Sequence, residues 1–225
     1  HGFMFSKVLS VTVCGYIVWL FSVIGRQPFS NLRCFVITLI IFGLCWFMHT
    51  ARPLKNKPDL DLILIEELVF FEILLMWVWF FTFRPEASGT EKFMDYGFMA
   101  AMEQSPTLPA KDIWYGTANI NYYYGGQYFA VYLSELCYLP VKITYNLMRG
   151  LIAAFAFILP FSIVYHMIDA RFRKHNENHI LSYVGGALGG TAVSLAGNMH
   201  YVLYGLFGSV FRLSGYEEYW FPDST

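Results

Sequence analysis

The chain is predicted to be an all-α, polytopic integral membrane protein with about five transmembrane helices and further helices lying at the membrane surface. Three observations predict this class. Of its 225 residues, 56% are hydrophobic and 20% aromatic, and only 14% are charged, where soluble domains carry about a quarter charged residues. The apolar residues gather in blocks close to the ~20 residues a helix needs to cross ~30 Å of hydrocarbon. One long polar stretch, residues 84–128, interrupts them and carries Glu86, Glu91, Asp95, Glu103 and Asp112.

Residues 8–25 form the first block, opened by Lys7 and closed by Arg26-Gln27-Pro28. The second, 32–49, is followed by the basic run ARPLKNKPD, and the third is 60–83. Beyond the polar stretch, 128–140 is apolar but rich in aromatics and broken by Ser134 and Glu135. Residues 147–168 read as a span despite Pro160. RFRKHNENH then precedes 180–211, a glycine-rich block.

Arg52, Lys55 and Lys57 mark loop 50–59 as cytoplasmic, and Arg171, Arg173 and Lys174 mark loop 170–179 likewise. Both loops can face the cytoplasm if only 60–83 and 147–168 cross between them. Residues 122–140 are therefore expected to form an interfacial or re-entrant helix. Residues 84–146 become a large extracytoplasmic segment, and the tail 212–225 lies on the same side. The chain reads as one transmembrane domain over 1–225, in the cell membrane. His1 at its start and the polar YWFPDST at its end suit the N-terminal part of a longer protein, with no cleaved signal peptide expected.

A net charge of −1 and no basic cluster beyond RFRK leave no footprint for nucleic acid. HExxH, P-loop, GxSxG and dinucleotide-binding signatures are absent from the sequence. Cys14, Cys34, Cys45 and Cys137 follow neither CxxC nor Cys/His spacing. Packing thiols are expected, and neither a disulfide nor a metal site.

Inside the polar stretch, Ser88-Gly89-Thr90-Glu91 has capping-box spacing, with Ser88 as N-cap and a helix running to about Gln104. On that helix Glu91 and Asp95 are i,i+4 and share a face, where two like charges repel by a few tenths of a kcal/mol. A cation or a shared proton relieves the repulsion, and such a carboxylate can act as a general base. The bland alternative is a cap and a solvated residue, with Lys92 beside them. Asn119, Asn121, Tyr122, Tyr123, Tyr124, Gln127 and Tyr128 stand together around two glycines. Aromatic faces and amides suit a sugar or polar headgroup, and an interfacial tyrosine belt is the alternative.

Glu72 is expected near the middle of the third span, where burial costs ~2.5 kcal/mol or more without a partner. Glu66 and Glu67 are expected to snorkel at the span's cytoplasmic end. Gly185, Gly186, Gly189, Gly190 and Ser194 form small-xxx-small pairs, a device for close helix packing. Asn198 and His200 are about 200° apart on a straight helix and cannot both face one site.

The motifs GTEKFMD (89–95), SPTLPAKDIWYG (105–116) and INYYYGGQY (120–128), with GYIVWL (15–20), Arg84 and GNMH (197–200), resemble an uncharacterised family of polytopic membrane proteins. That family is a domain of unknown function known by its tyrosine triplet, and the resemblance covers essentially the whole chain. It is in turn similar to the C-type (GT-C) membrane glycosyltransferases, which move a sugar from a polyprenyl-phosphate carrier using an acidic residue in the first large extracytoplasmic loop. The resemblance implies Asp95 or Glu91 as that acid; Asp95 is read as the base, with Glu91 orienting it or holding a divalent cation. In that reading Arg84 or Lys92 would neutralise the carrier phosphate. Trp114, Asn119, Asn121, Tyr122, Tyr123, Tyr124, Gln127, Tyr128, Asn198 and His200 would contact substrate. The superposition is offset by two helices, and an acidic, histidine-containing motif of the family lies beyond Thr225. The alternative is a non-catalytic component that binds lipid headgroups or serves assembly.

Overall fold

Residues 2–52, 59–88, 90–175 and 180–195 are described by the computed structural model. They form seven helices: α1 (Phe3–Val23), α2 (Asn31–Ala51), α3 (Leu60–Phe81), α4 (Thr90–Gln104), α5 (Gly125–Cys137), α6 (Val141–His175) and α7 (Ile180–Ser194). Among the described residues the only extended pairing is an isolated antiparallel bridge between Lys111 and Asn119.

By length and composition, α1, α2 and residues Val141–Phe172 of α6 can each cross a membrane. The length of α3 suffices, but Asp61, Glu66, Glu67 and Glu72 lie along it. The described part of α7 is apolar and shorter, at 15 residues. Residues 196–211 of the predicted last span, with Asn198 and His200, lie outside the described residues, as do Lys55 and Lys57.

Several boundaries differ from expectation, each for a local reason. Helix α1 begins at Phe3, so Lys7 lies inside it and not ahead of it, paired with Glu67 of α3 at 2.7 Å. Helix α4 is described from Thr90, and Gly89, the first helical position that a cap at Ser88 would give, lies outside the described residues. The tyrosine triplet precedes α5 in irregular backbone and is not part of it. Helix α6 starts six residues before the expected 147, because the Glu103 carboxylate accepts the Val141 amide at 2.8 Å and satisfies a free N–H of its first turn. At 35 residues α6 is about 52 Å long, well beyond the hydrocarbon thickness.

Two helical groups share α6. Helices α3 and α7 pack along most of it, while α1, α2, α4 and α5 form the other group. The second group encloses Cys14, Val18, Met99, Met102, Val131, Tyr132 and Val141. The first encloses Met4, Leu62, Phe70, Ala154, Ile158, Phe161 and Tyr165. Along α7 the glycines do what the spacing predicts. A Cβ on Gly186 would sit 3.0 Å from the Phe161 carbonyl oxygen, and one on Gly190 would sit 2.8 Å from that of Phe157.

The acidic residues of α3 reverse the expectation. Glu66 lies on the same stripe as Leu62 and Phe70 and is 1% exposed, whereas Glu72 faces outward. Helix α3 is apolar nearly all round, so periodicity did not reveal which face meets α6.

Hydrogen bonds gather the connecting segments at one end of the bundle. The Phe29 amide donates to the Pro106 carbonyl at 2.8 Å, the Leu108 amide to Ser22 Oγ at 3.0 Å, and Asn146 Nδ2 to the Pro85 carbonyl at 2.8 Å. Segments 24–30, 82–88 and 105–124 therefore share that end. The Lys7–Glu67 pair lies near the other, toward the start of α3 and the end of α2.

Candidate functional site

Helices α4 and α5 lie against the start of α6 and carry the polar stretch. Helix α4 turns Phe98, Met99 and Met102 inward, which leaves Glu91 exposed and Asp95 half-buried on its outer side. Gln127, in the first turn of α5, donates from Nε2 to Asp95 Oδ1 at 2.6 Å. A charge-assisted bond of that length is among the stronger kinds. It pins the predicted acid to the tyrosine-rich segment from 32 residues away in sequence.

The Tyr122 and Tyr123 rings are in contact at a tilt of 35°, with centroids 3.9 Å apart, and Tyr123 is 70% exposed. The Tyr123 hydroxyl is pushed above its usual pKa, first by its hydrogen bond with Tyr122 and the charge of that neighbour. Desolvation, Glu91 and Asp95 follow as smaller causes. Both carboxylates therefore act on the phenol. Tyr122 also packs on Phe98, whose ring meets Trp114 edge-on at 5.6 Å.

Trp114 sits at the tip of a loop closed by the Lys111–Asn119 bridge. Asp112 Oδ1 accepts the Trp114 and Tyr115 amides at 2.8 and 2.9 Å. This Asx turn holds both rings outward, and they are 59% and 68% exposed.

The other predicted residues fall in two groups. Asn121, Asn119 and Arg84 are exposed, but Asn119 belongs to the loop base, where it lines a cavity shared with Arg26 and Lys111. Lys92 is half-buried, and its carbonyl accepts from the Tyr145 hydroxyl at 3.4 Å. Tyr128 and Tyr124 face the bundle instead. Tyr128 is 2% exposed and its hydroxyl donates to the Gly15 carbonyl at 2.6 Å. Burial pushes that phenol well above its ordinary pKa. Tyr124 Oη accepts from Trp19 Nε1 at 3.2 Å. These two tyrosines moor the loop to α1 and offer little surface to a ligand.

Residues that sequence reasoning passed over complete the wall. Tyr145 meets Tyr96 edge-on at 5.6 Å. Arg149, one turn further along α6, holds its guanidinium 4.0 Å from the Phe81 ring centroid and donates to Asn146 at 2.9 Å. An arginine at i+4 from a tyrosine, just inside an apolar block, was the available signal.

Among the described residues no three of His, Cys, Asp and Glu gather as a metal-holding group. Glu91 and Asp95 would supply a cation with two carboxylate positions at most.

Long apolar helices around a carboxylate–tyrosine cluster on α4 and α5 define a polytopic helical membrane protein. The chain belongs to the family described as Uncharacterized membrane protein (DUF2298), whose profile matches residues 13–225. No curated protein and no solved structure matches it.

Proposed function

We propose that the protein is a membrane glycosyltransferase of the C-type fold, using a polyprenyl-phosphate sugar on the extracytoplasmic face. The observation that carries this reading is the Asp95 carboxylate, fixed by Gln127 beside two exposed tyrosines at the edge of a membrane bundle. In this reading five spans cross the membrane, and α4 and α5 lie at the outer lipid boundary. The acceptor hydroxyl oxygen bonds to the anomeric carbon as the bond from that carbon to the phosphate oxygen breaks. Polyprenyl phosphate leaves, and the acceptor proton passes to Asp95. Gln127 keeps the carboxylate aimed, while Tyr122, Tyr123 and Asn121 hold sugar by stacking and hydrogen bonds. Arg84, Lys92 or Arg149 balances the carrier phosphate. Glu91 orients the base or shares a divalent cation with it.

Asp95→Asn keeps the shape and the Gln127 contact but removes the base. Its turnover with a polyprenyl-phospho-sugar is expected to fall ~100-fold or more, with an unchanged melting temperature. Full turnover in this variant would remove the mechanism.

The exposed Trp114, Tyr115 and Tyr123 favour a second reading, a non-catalytic component that anchors at lipid headgroups. In that case the purified full-length protein consumes no donor lipid, and substitutions at the three aromatics release it from vesicles.

A further inference from the structure

Beyond the proposed reaction, a second site lies where α1 and α2 meet the loop that follows α4. Two cavities adjoin there, with buried Ser22 in the wall of both. The inner one, about 400 Å³, runs between α1 and α2 past Val18, Phe21 and Ile37, with Arg33 and Gln27 at its rim. The outer one, about 720 Å³, has Arg26, Lys111, Thr107 and Asn119 among its lining residues. Among the described residues no acidic side chain lines either cavity, so three cations face a shared space without a counter-charge in its walls. Arg33 donates to Gln27 at 2.7 Å. Asp112, next to Lys111 in sequence, turns its Oδ1 to the Trp114 and Tyr115 amides and is not in the lining of either cavity. Arg26 also takes a left-handed backbone, φ 49°, which non-glycine residues seldom adopt and usually leave to glycine at a helix end.

We propose that these cavities form a binding site for an anionic membrane phospholipid, with the phosphate between Arg26 and Lys111 and an acyl chain in the α1/α2 groove. Guanidinium and ammonium groups satisfy a phosphate's charge and acceptors, and the uncharged hydroxyl and amide groups add donors. The groove is bounded by two membrane-crossing helices, so a chain enters it from the bilayer without crossing water. The shared wall at Ser22 makes head and chain sites continuous, which a free anion does not need. Ser105, also in the lining, lies ten residues beyond Asp95, about 15 Å along the axis of α4. The site therefore stands apart from the Asp95 cluster, and its test needs no transfer activity.

The experiment is native mass spectrometry of the full chain in detergent, titrated with phosphatidylglycerol and with phosphatidylcholine of the same acyl chains. Inorganic phosphate is added as a competitor. Two surface cations favour an anionic head by about 30-fold together. The wild type is expected to prefer phosphatidylglycerol by about that factor. Arg26→Gly with Lys111→Gln should abolish the preference, and glycine suits the left-handed position, so the fold is spared. Val18→Trp fills the groove with the charges intact and should weaken phosphatidylglycerol binding on its own. Equal binding of the two lipids by the wild type, or a preference that survives in the double variant, would overturn the site. So would full displacement of phosphatidylglycerol by millimolar phosphate, since the occupant would then be a soluble anion.

Discussion

Two carboxylates on neighbouring helices, Glu103 and Glu135, show how one residue's surroundings set its chemistry. Glu103 is used as the cap of α6. Glu135, half-buried on α5, is pushed above the usual carboxylate range, first by burial and then by the charge of Glu103. A hydrogen bond at Asn31 pulls the other way. A raised folded-state pKa means that the folded protein binds this proton more tightly than the unfolded chain does. Its stabilising contribution is complete below the ordinary value of 4.5 and is lost as pH rises through the folded value. Glu135→Gln should therefore match the wild type near pH 4 and melt higher at pH 7. Melting curves at the two pH values check this, and an unchanged difference between them would contradict it. Gln127 belongs to the same level of description. Its amide decides where Asp95 points, which no spacing rule in the polar stretch contains.

Among the elements, the contact of α6 with α7 is the most demanding, because backbone atoms approach where side chains are missing. A methyl group on Gly190 would meet the Phe157 carbonyl at 2.8 Å, and a rigid helix backbone cannot move aside as a side-chain tip can. Gly190→Ala should cost about 1–3 kcal/mol by overpacking. Leu188→Ala, at a position 66% exposed, should stay within about 0.5 kcal/mol. Thermal melting in one detergent compares the two, and equal effects would argue against the close approach. Helix α4 is the contrasting case. Its own residues make it legible, since Phe93, Met94, Phe98, Ala101 and Met102 recur at helical spacing between a capping signal and Ser105-Pro106. Helix α5 was legible only in outline. Its tyrosines looked continuous with it, yet Tyr122–Tyr124 form a separate turn held by Trp19 and Phe98.

For the whole molecule, the decisive arrangement is that the polar segments collect at one end of the bundle. Among the described residues, Arg52 at the end of α2 and Arg171 near the end of α6 lie toward the other, where Lys7 meets Glu67. If the basic end is cytoplasmic, Tyr115→Cys in a cysteine-free background should react with an impermeant maleimide on intact cells. Arg171→Cys should react only after permeabilisation. The opposite pattern would place the Asp95 cluster in the cytosol and end the glycosyltransferase reading. Helix α2 buries only Cys34 and presents Phe35, Leu39, Phe42, Trp46 and Phe47 outward. Such a surface suits hydrocarbon and would be costly in water.

Membrane class, the order of apolar blocks, the α4 segment and the glycine packing stripe follow from local composition and periodicity, because each depends on residues within one or two turns. The tertiary structure alone decided which carboxylate is buried, Glu66 and not Glu72, and which tyrosines are moorings, Tyr124 and Tyr128. It also decided which amide holds Asp95. The reason is physical: helices apolar on every side carry no signal for the face that meets a neighbour. Contacts such as Tyr128 with Gly15, 113 residues apart, exist only once the helices have packed.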